Sequence, residues 1–452
     1  MKKEKAQLVV LGGGPGGYVA AFHAADLGMD VTLVDQEPRP GGVCLFRGCI
    51  PSKALLQARK LMVEAKNAGH MGLRFSDTEL DIDKLRDWKN GVIEKLTKGL
   101  MSLAKARKVK FIQARGAFTD SNTIQLSKVE GGDEDPPEAI EFEKCILAAG
   151  SVSSMPKMFQ VDDDRVMGSR QALNLPDIPK RLLVVGGGYI GLELGQVYQG
   201  FGSKVTVVEM MDQLLPATDA DLVKPLARQI KKDFENVYLK TTVEKIEPQK
   251  KGVKVHFKAA DDKKFDETFD RILVSVGRRP NSDKLGLDNT KAKLNDRGFV
   301  QVNARMETDD PAILAIGDIV GGMMLAHKAF YEGKVAAAVA SGDEYALNDT
   351  RAIPAVVFSD PEIAYCGLTE NQAKEQNVEV QVARYPWAAN GRALILGQST
   401  GMSKIICDPE THRVLGMGMV GHGSEDLVAE AVLAVEMAAT AEDVAAAIHA
   451  HP

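Results

Sequence analysis

One device is written twice in this chain, and each copy dictates the same fold unit. The run Leu8-Val9-Val10-Leu11 enters Gly12-Gly13-Gly14-Pro15-Gly16-Gly17, after which residues 18–27 have a helical pattern and residues 31–34 form a second apolar run ending at Asp35. The order returns at Leu182-Leu183-Val184-Val185, then Gly186-Gly187-Gly188-Tyr189-Ile190-Gly191, a helix through Phe201 and an apolar run over 205–208 ending at Glu209. Strand, glycine loop, helix, strand and acid make the plan of a dinucleotide-binding unit. The first glycine (Gly12, Gly186) permits the tight turn, and the second (Gly14, Gly188) lets the backbone approach a pyrophosphate. The third (Gly17, Gly191) lets helix and strand pack closely, with the helix N-terminus presenting N–H groups to the phosphates. Each acid stands eighteen residues past its third glycine, where a carboxylate can accept ribose hydroxyls. One such loop is a weak signal, but two with matching spacing predict two dinucleotide sites. Apolar runs ending at Gly150 and Gly277 close the two units alike.

A chain of 452 residues has room for about three domains. Its net charge of −6 and pI near 5.9 leave no basic footprint for nucleic acid. The basic start Met1-Lys2-Lys3-Glu4-Lys5 is followed by too few apolar residues before Gly12 for a signal peptide. No apolar run approaches the ~18 residues of a membrane span. Five cysteines without an export signal point to a reducing cytoplasm, where a disulfide is more often catalytic than structural.

Two of those cysteines fall in Gly41-Gly42-Val43-Cys44-Leu45-Phe46-Arg47-Gly48-Cys49-Ile50-Pro51-Ser52-Lys53. Positions five apart on an ideal helix sit ~8.6 Å apart at Cα, beyond the roughly 4.4–6.8 Å of a disulfide. Bridging Cys44 and Cys49 therefore requires a bend between them. Gly48 tolerates unusual φ, and Pro51 has no N–H to bond the carbonyl of Arg47. Lys53, four residues after Cys49, shares its face of any following helix, where its charge favours a thiolate or a reduced anionic cofactor. The plainer alternative is a pair of buried thiols beside a turn.

Elsewhere the pattern predicts a long helix over 82–106 and, in the charged run 130–137, an exposed hairpin tip. Gly317-Asp318 ends the apolar run 312–316 and by itself is more often a turn than a ligand site. From about Ile353 the chain becomes a mixed α+β region, with strand-like 355–358 and 403–407 and two helices capped by Ser424 and Thr440. The tail His449-Ala450-His451-Pro452 holds two histidines in a position where most are solvated. Glu209 would repel a 2′-phosphate, and Met210-Met211-Asp212 supplies no arginine to welcome one, so the second site suits NAD rather than NADP. No metal site is expected.

With Ala315-Ile316-Gly317-Asp318, Met324-Leu325-Ala326-His327-Lys328-Ala329, Pro386-Trp387-Ala388-Ala389-Asn390-Gly391-Arg392-Ala393 and the histidine tail added, the chain resembles the dihydrolipoamide dehydrogenases nearly end to end. These are FAD-dependent, NAD-linked disulfide oxidoreductases. The resemblance implies an α/β fold of two Rossmann-like domains and a C-terminal α+β dimerisation domain. Residues 1–150 would bind FAD and carry the redox disulfide, 151–277 would bind NAD, 278–348 would complete the FAD site, and 349–452 would form the interface. For FAD it implies Gly12, Gly14, Gly17, Asp35, Lys53, Gly150, Asp318 on the ribityl side, and backbone N–H groups of the turn Met324, Leu325, Ala326 and His327. For NAD it implies Gly186, Gly188, Gly191, Glu209 and Gly277. Many relatives carry Glu at the Asp35 position, and a shorter carboxylate still reaches a ribose.

The same resemblance assigns Cys44 as the interchange thiol and Cys49 as the thiol beside the flavin that forms the charge-transfer thiolate. Reducing equivalents would pass from dihydrolipoyl sulfurs to this pair by thiol–disulfide exchange, then to FAD, then to NAD. Lys53 and Glu193 match an ion pair near the reacting edge of the flavin; a first-turn acid such as Glu193 also complements a helix dipole. Tyr189 would cover the nicotinamide or simply pack. His451 matches the general acid/base, which in this family serves the disulfide of the other subunit of a homodimer. The family continues past His-Pro into a segment whose glutamate orients that histidine, whereas this sequence ends at Pro452. The expectation is a chain that binds FAD but turns over slowly and dimerises less firmly. Its partner would be a lipoyl carrier domain of a 2-oxoacid dehydrogenase complex or of glycine cleavage. Glutathione reductase is opposed by Glu209. Mercuric reductase would need a cysteine pair near the C-terminus, where Cys407 stands alone beyond residue 400. A noncatalytic FAD-binding or assembly protein is disfavoured by retention of both cysteines, Lys53 and Glu193.

Overall fold

The computed structural model describes residues 3–76, 78–132 and 135–452. Asp133 and Glu134 of the expected hairpin tip, and Met1 and Lys2 of the basic start, lie outside the described residues. The chain divides into two compact units. The first comprises Met1–Pro51, Asp83–Ser154 and Arg278–Asp349, and the second Ser52–Ile82, Met155–Gly277 and Thr350–Pro452. Among the described residues, no helix is long and apolar enough to cross a membrane.

The first unit is built on a parallel sheet in the order Lys110–Gln113, Val31–Asp35, Lys3–Leu11, Ala139–Leu147, Ile313–Ala315. The antiparallel pair Arg115–Asp120 and Thr123–Ser127 joins the early half of Ala139–Leu147. Leu8 and Val10 bury with Tyr18, Leu33 and Ile146, while Val9 and Leu11 bury with Val34, Ile112 and Leu147. Both faces of the strand are covered, which is why its sequence is a continuous apolar run rather than an alternation. The first loop helix begins at Pro15 and runs to Asp26, three residues ahead of the expected start at Tyr18. Proline suits the first helical position because its missing N–H has no intrahelical partner there. That helix packs on Ala326–Ala340, where a Cβ on Gly333 would fall 2.6 Å from the carbonyl oxygen of Gly16.

The second unit holds a parallel sheet in the order Asn236–Tyr238, Lys204–Val208, Arg181–Val185, Arg271–Val274, Val166–Gly168. A three-stranded antiparallel sheet, Thr241–Pro248, Val253–Ala259 and Lys264–Phe269, packs Val255, Phe257 and Phe269 into one core with Leu183, Val185 and Ile272. Its C-terminal part is an antiparallel sheet in the order Ala355–Val357, Ile363–Gly367, Val414–Val420, Met402–Cys407, Gln381–Pro386. The helix Ser424–Glu436 covers it through Val428, Ala431 and Val435. Ser424, expected as the cap, is the first helical residue. Gly423 caps in the left-handed region, φ 80°, and the Ser424 hydroxyl donates to the Gly421 carbonyl at 2.8 Å. Thr440 does cap Ala441–Ala446, exchanging bonds with Asp443. Within this unit the buried Lys404 ammonium donates to Asp219 at 2.6 Å, Asp221 at 2.8 Å and Glu370 at 2.9 Å. Its compensation is complete, and the three bonds hold its pKa above the ordinary lysine value against the downward pull of burial.

Candidate redox and dinucleotide sites

The two glycine loops repeat each other in atomic detail. Gly12 has φ +113° and Gly186 φ +101°, and a Cβ on either would strike the facing strand end, at 2.3 Å from Ala148 O and 2.6 Å from Ser275 O. A Cβ on Gly17 would lie 1.8 Å from Gly12 O, and one on Gly191 2.3 Å from Gly186 O. The third glycine thus closes the loop upon its own first residue, more than upon the strand. The second glycine differs: Gly188 meets nothing within 4 Å and Gly14 only one atom, at 3.9 Å. Both serve as helix N-caps without a side-chain bond, at positions where an added Cβ would meet almost nothing. A phosphate requires such a cradle.

The two acids are also matched. Asp35 accepts from the N–H of Gly13 through Oδ2 and of Glu37 through Oδ1, the latter at 2.7 Å. Glu209 accepts from the N–H of Gly187 at 2.7 Å and of Met211 at 2.9 Å. Each carboxylate is thereby fixed beside its loop. Burial pushes the Asp35 carboxyl up, against the pull of its two backbone donors. Around the first loop, Gly150 has φ +69° and open space at its Cβ position. Asp318, in the short turn Gly317–Val320, accepts from the Ser151 hydroxyl, and Arg278 donates to that hydroxyl and to the Ser151 carbonyl, both at 2.7 Å. Met324 and Leu325 lead into the N-terminus of the helix at Ala326, with His327 exposed in its first turn. Gly277 has φ +116° and an open Cβ position, and Tyr189 is exposed.

In the redox segment a helix Gly42–Arg47 stops at Gly48, and a second helix starts at Cys49. Gly48 is required there: a Cβ would come 2.8 Å from Val43 O and 3.2 Å from the Cα of Cys44. That close return brings Cys44 and Cys49 near disulfide distance, which a continuous helix could not do. The segment is seated on the first glycine loop. Gly41 N–H donates to Gly13 O at 2.8 Å, and a Cβ on Gly42 would lie 2.5 Å from the Cα of Gly14. Tyr18, which the sequence marked only as helical, is buried near both thiols. Burial and the charges of Cys44 and Cys49 push its hydroxyl pKa up.

Lys53 lies on the helix Cys49–Asn67, and its ammonium meets Glu193 Oε2 at 2.8 Å. Glu193 is 3 % exposed, so its carboxylate is a buried partner rather than a solvated first-turn acid. His451 is exposed, while His449 contacts the Glu430 carboxylate at 2.6 Å, which raises the imidazole above its ordinary value.

Residues 6–333 match the family model described as pyridine nucleotide-disulphide oxidoreductase, and residues 353–452 match the dimerisation domain of the same family. The chain belongs to the pyridine nucleotide-disulphide oxidoreductases. Members of this family work with FAD and a pyridine nucleotide, and the open second glycines, uncapped helix N-termini and loop-anchored acids fit those groups. Among curated relatives, the chain is 45% identical to a dihydrolipoyl dehydrogenase of Vibrio cholerae, over 100% of this chain and 94% of the relative. It is 42% identical to one of Geobacillus stearothermophilus, over 99% and 93%. Among solved structures it is similar to a Cu(II) complex of the HOCl-induced flavoprotein disulfide reductase RclA from Escherichia coli. There the TM-score is 0.85 at 26% identity, covering 99% of this chain and 97% of that one.

Proposed function

We propose that this oxidoreductase is a dihydrolipoyl dehydrogenase that reoxidises protein-bound dihydrolipoyl groups with NAD. One observation carries it: Cys44 and Cys49 stand near disulfide distance on a segment hydrogen-bonded to the first glycine loop. In the forward step a dihydrolipoyl thiolate attacks Cys44 Sγ, the Cys44–Cys49 bond breaks, and Cys49 leaves as thiolate. The second lipoyl sulfur then displaces Cys44 from the mixed disulfide, giving a lipoyl disulfide and a reduced enzyme pair. FAD, when bound, relays the two electrons from that pair to NAD.

The first loop with Gly12, Gly14, Gly17 and Asp35 would hold FAD, together with Gly150, Asp318 and the Met324–His327 turn, and Lys53 with Glu193 would place a charge near its ring. Gly186, Gly188, Gly191, Glu209 and Gly277 would hold NAD, Glu209 disfavouring a 2′-phosphate. The chain would act as a homodimer through its family dimerisation domain, with His451 of one subunit moving the proton at the Cys44 sulfur of the other. The partner would be a lipoyl carrier domain of a 2-oxoacid dehydrogenase complex or of glycine cleavage, in a reducing cytoplasm.

The test is NAD-linked oxidation of dihydrolipoamide beside NADPH-linked reduction of glutathione disulfide, in this chain and in Cys44→Ser. The expected result is activity in the first assay alone, lost in Cys44→Ser. Dihydrolipoamide oxidation surviving that substitution would overturn the thiol assignment.

A further inference from the structure

Among the described residues, three donors reach Glu193, of which Lys53 is one. Glu193 Oε2 accepts from Lys53 Nζ at 2.8 Å and from Ser52 Oγ at 2.9 Å, while Oε1 accepts from the Phe358 N–H at 3.1 Å. Phe358 also places its ring centroid 4.1 Å from Lys53 Nζ. The ammonium is therefore held between a carboxylate and an aromatic face. Behind this pair, the side-chain amide of Gln196, one helical turn past Glu193, exchanges two bonds with the main chain of Asp360, at 2.8 and 2.9 Å. The buried Arg59 guanidinium reaches the Asp360 carboxylate at 2.7 Å. Both contacts fix the segment that carries the Phe358 ring and its N–H.

We infer that Ser52 and Phe358 are positioning residues that hold the Lys53 ammonium in one place, through Glu193 and through the ring, and so set the electrostatic surroundings of the bound flavin. This rests on the proposal that Lys53 stands by the flavin. A lysine paired by a single ion pair keeps most of its side-chain freedom. Here the Ser52 hydroxyl fixes the oxygen that faces the ammonium, and the Phe358 N–H fixes the other, so the carboxylate cannot rotate to follow a wandering lysine. A buried carboxylate also needs its acceptor sites filled, and Ser52 fills one without adding charge. A fixed positive charge favours the reduced, more negative flavin, so loosening the ammonium lowers the flavin's midpoint potential.

The test measures the midpoint potential and visible absorbance band of the bound flavin, with kcat and KM, in Ser52→Ala, Ser52→Thr, Phe358→Leu and Lys53→Met. Ser52→Ala should lower kcat about ten-fold, the scale of one hydrogen bond to a charged group. The KM for NAD should be unchanged, the potential more negative and the band shifted. Ser52→Thr, which keeps the hydroxyl, should restore all of these. Phe358→Leu keeps the N–H but not the ring, and should move the potential the same way with a roughly two- to five-fold loss in kcat. If Lys53→Met shifts band and potential while Ser52→Ala and Phe358→Leu keep both as in the parent, the inference is wrong and the placement of Lys53 stands. If Lys53→Met itself shifts neither, that placement falls and the inference with it, while Cys44→Ser judges the overall function separately. Equal losses in Ser52→Ala and Ser52→Thr would mean packing alone and would overturn the role of Ser52. Should Ser52→Ala fail to fold, Phe358→Leu decides.

Discussion

At the scale of single residues, the glycines of one loop do opposite work. A Cβ on Gly14 would meet a single atom, at 3.9 Å, so Gly14→Ala should leave thermal stability nearly unchanged while the added methyl obstructs the proposed phosphate cradle and FAD retention falls. Gly17 faces the carbonyl of Gly12, where a Cβ would lie 1.8 Å away and backbone must give. Gly17→Ala should lower stability by about 1–3 kcal/mol, the usual cost of overpacking. Thermal melts and flavin content of the purified variants separate the two effects. A pH effect also belongs at this scale. The Arg165 guanidinium holds the Asp163 carboxyl down at about 2, through bonds of 2.9 and 2.7 Å. A depressed carboxyl stabilises the fold at pH values above its ordinary value near 4, and that contribution is lost as pH falls through about 2. Asp163→Asn should therefore be less stable than the parent at neutral pH, and the difference should vanish on acid titration below that range. An equal gap at pH 2 and pH 7 would contradict the assignment.

At the scale of elements, ion pairs differ by burial rather than by number. Lys404 on the strand Met402–Cys407 is 2 % exposed at its side chain and joins Asp219 and Asp221, at the start of the helix Ala220–Asp233, to Glu370, at the start of Glu370–Gln376. Arg384 also reaches Asp221 and Glu370, so Lys404→Met would strip the cation from the buried Asp219 above all and should cost roughly 3 kcal/mol in denaturant unfolding. Lys98 pairs with Glu94 at 2.7 Å on an exposed helix face, and Lys98→Ala should leave the unfolding curve nearly unchanged because solvent screens the pair. The element pattern itself was largely legible: the long helix Ile82–Ala106 lies where its periodicity put it. Element ends were less so. Pro15 starts its helix early and Gly423 caps in place of Ser424 because a cap is decided by φ and by which carbonyl lies within reach.

At the scale of the whole molecule, the helix Ser424–Glu436 and the segments after it leave Leu427, Leu433, Met437 and Ile448 exposed, in the stretch that matches the family's dimerisation domain. Exposed apolar side chains in a domain of that family are the natural candidates for the association surface. Leu433→Asp should weaken self-association about ten-fold or more, read by sedimentation velocity over a range of concentrations, with the monomer's flavin content unchanged. An unaltered association constant would place the interface elsewhere.

The sequence by itself determined both dinucleotide loops, their acids and the bent thiol segment, because each is a short window whose glycines and spacing carry the physical requirement. Gly48 announced the bend between Cys44 and Cys49, and a clash with Val43 O and the Cα of Cys44 is what makes a glycine necessary. Only the tertiary structure decided what each charged group does. The spacing of Asp35 and Glu209 marked them as candidates for ribose binding, yet their grip on the N–H groups of their own loops appears only after strand and loop are folded together. Ser52, Phe358 and Lys404 had no local signal at all, since their partners lie more than a hundred residues away in the chain for Glu193 and for Asp219. Hydrogen bonds and ion pairs act over a few ångströms of space, and the order of residues does not say which distant segments come that close.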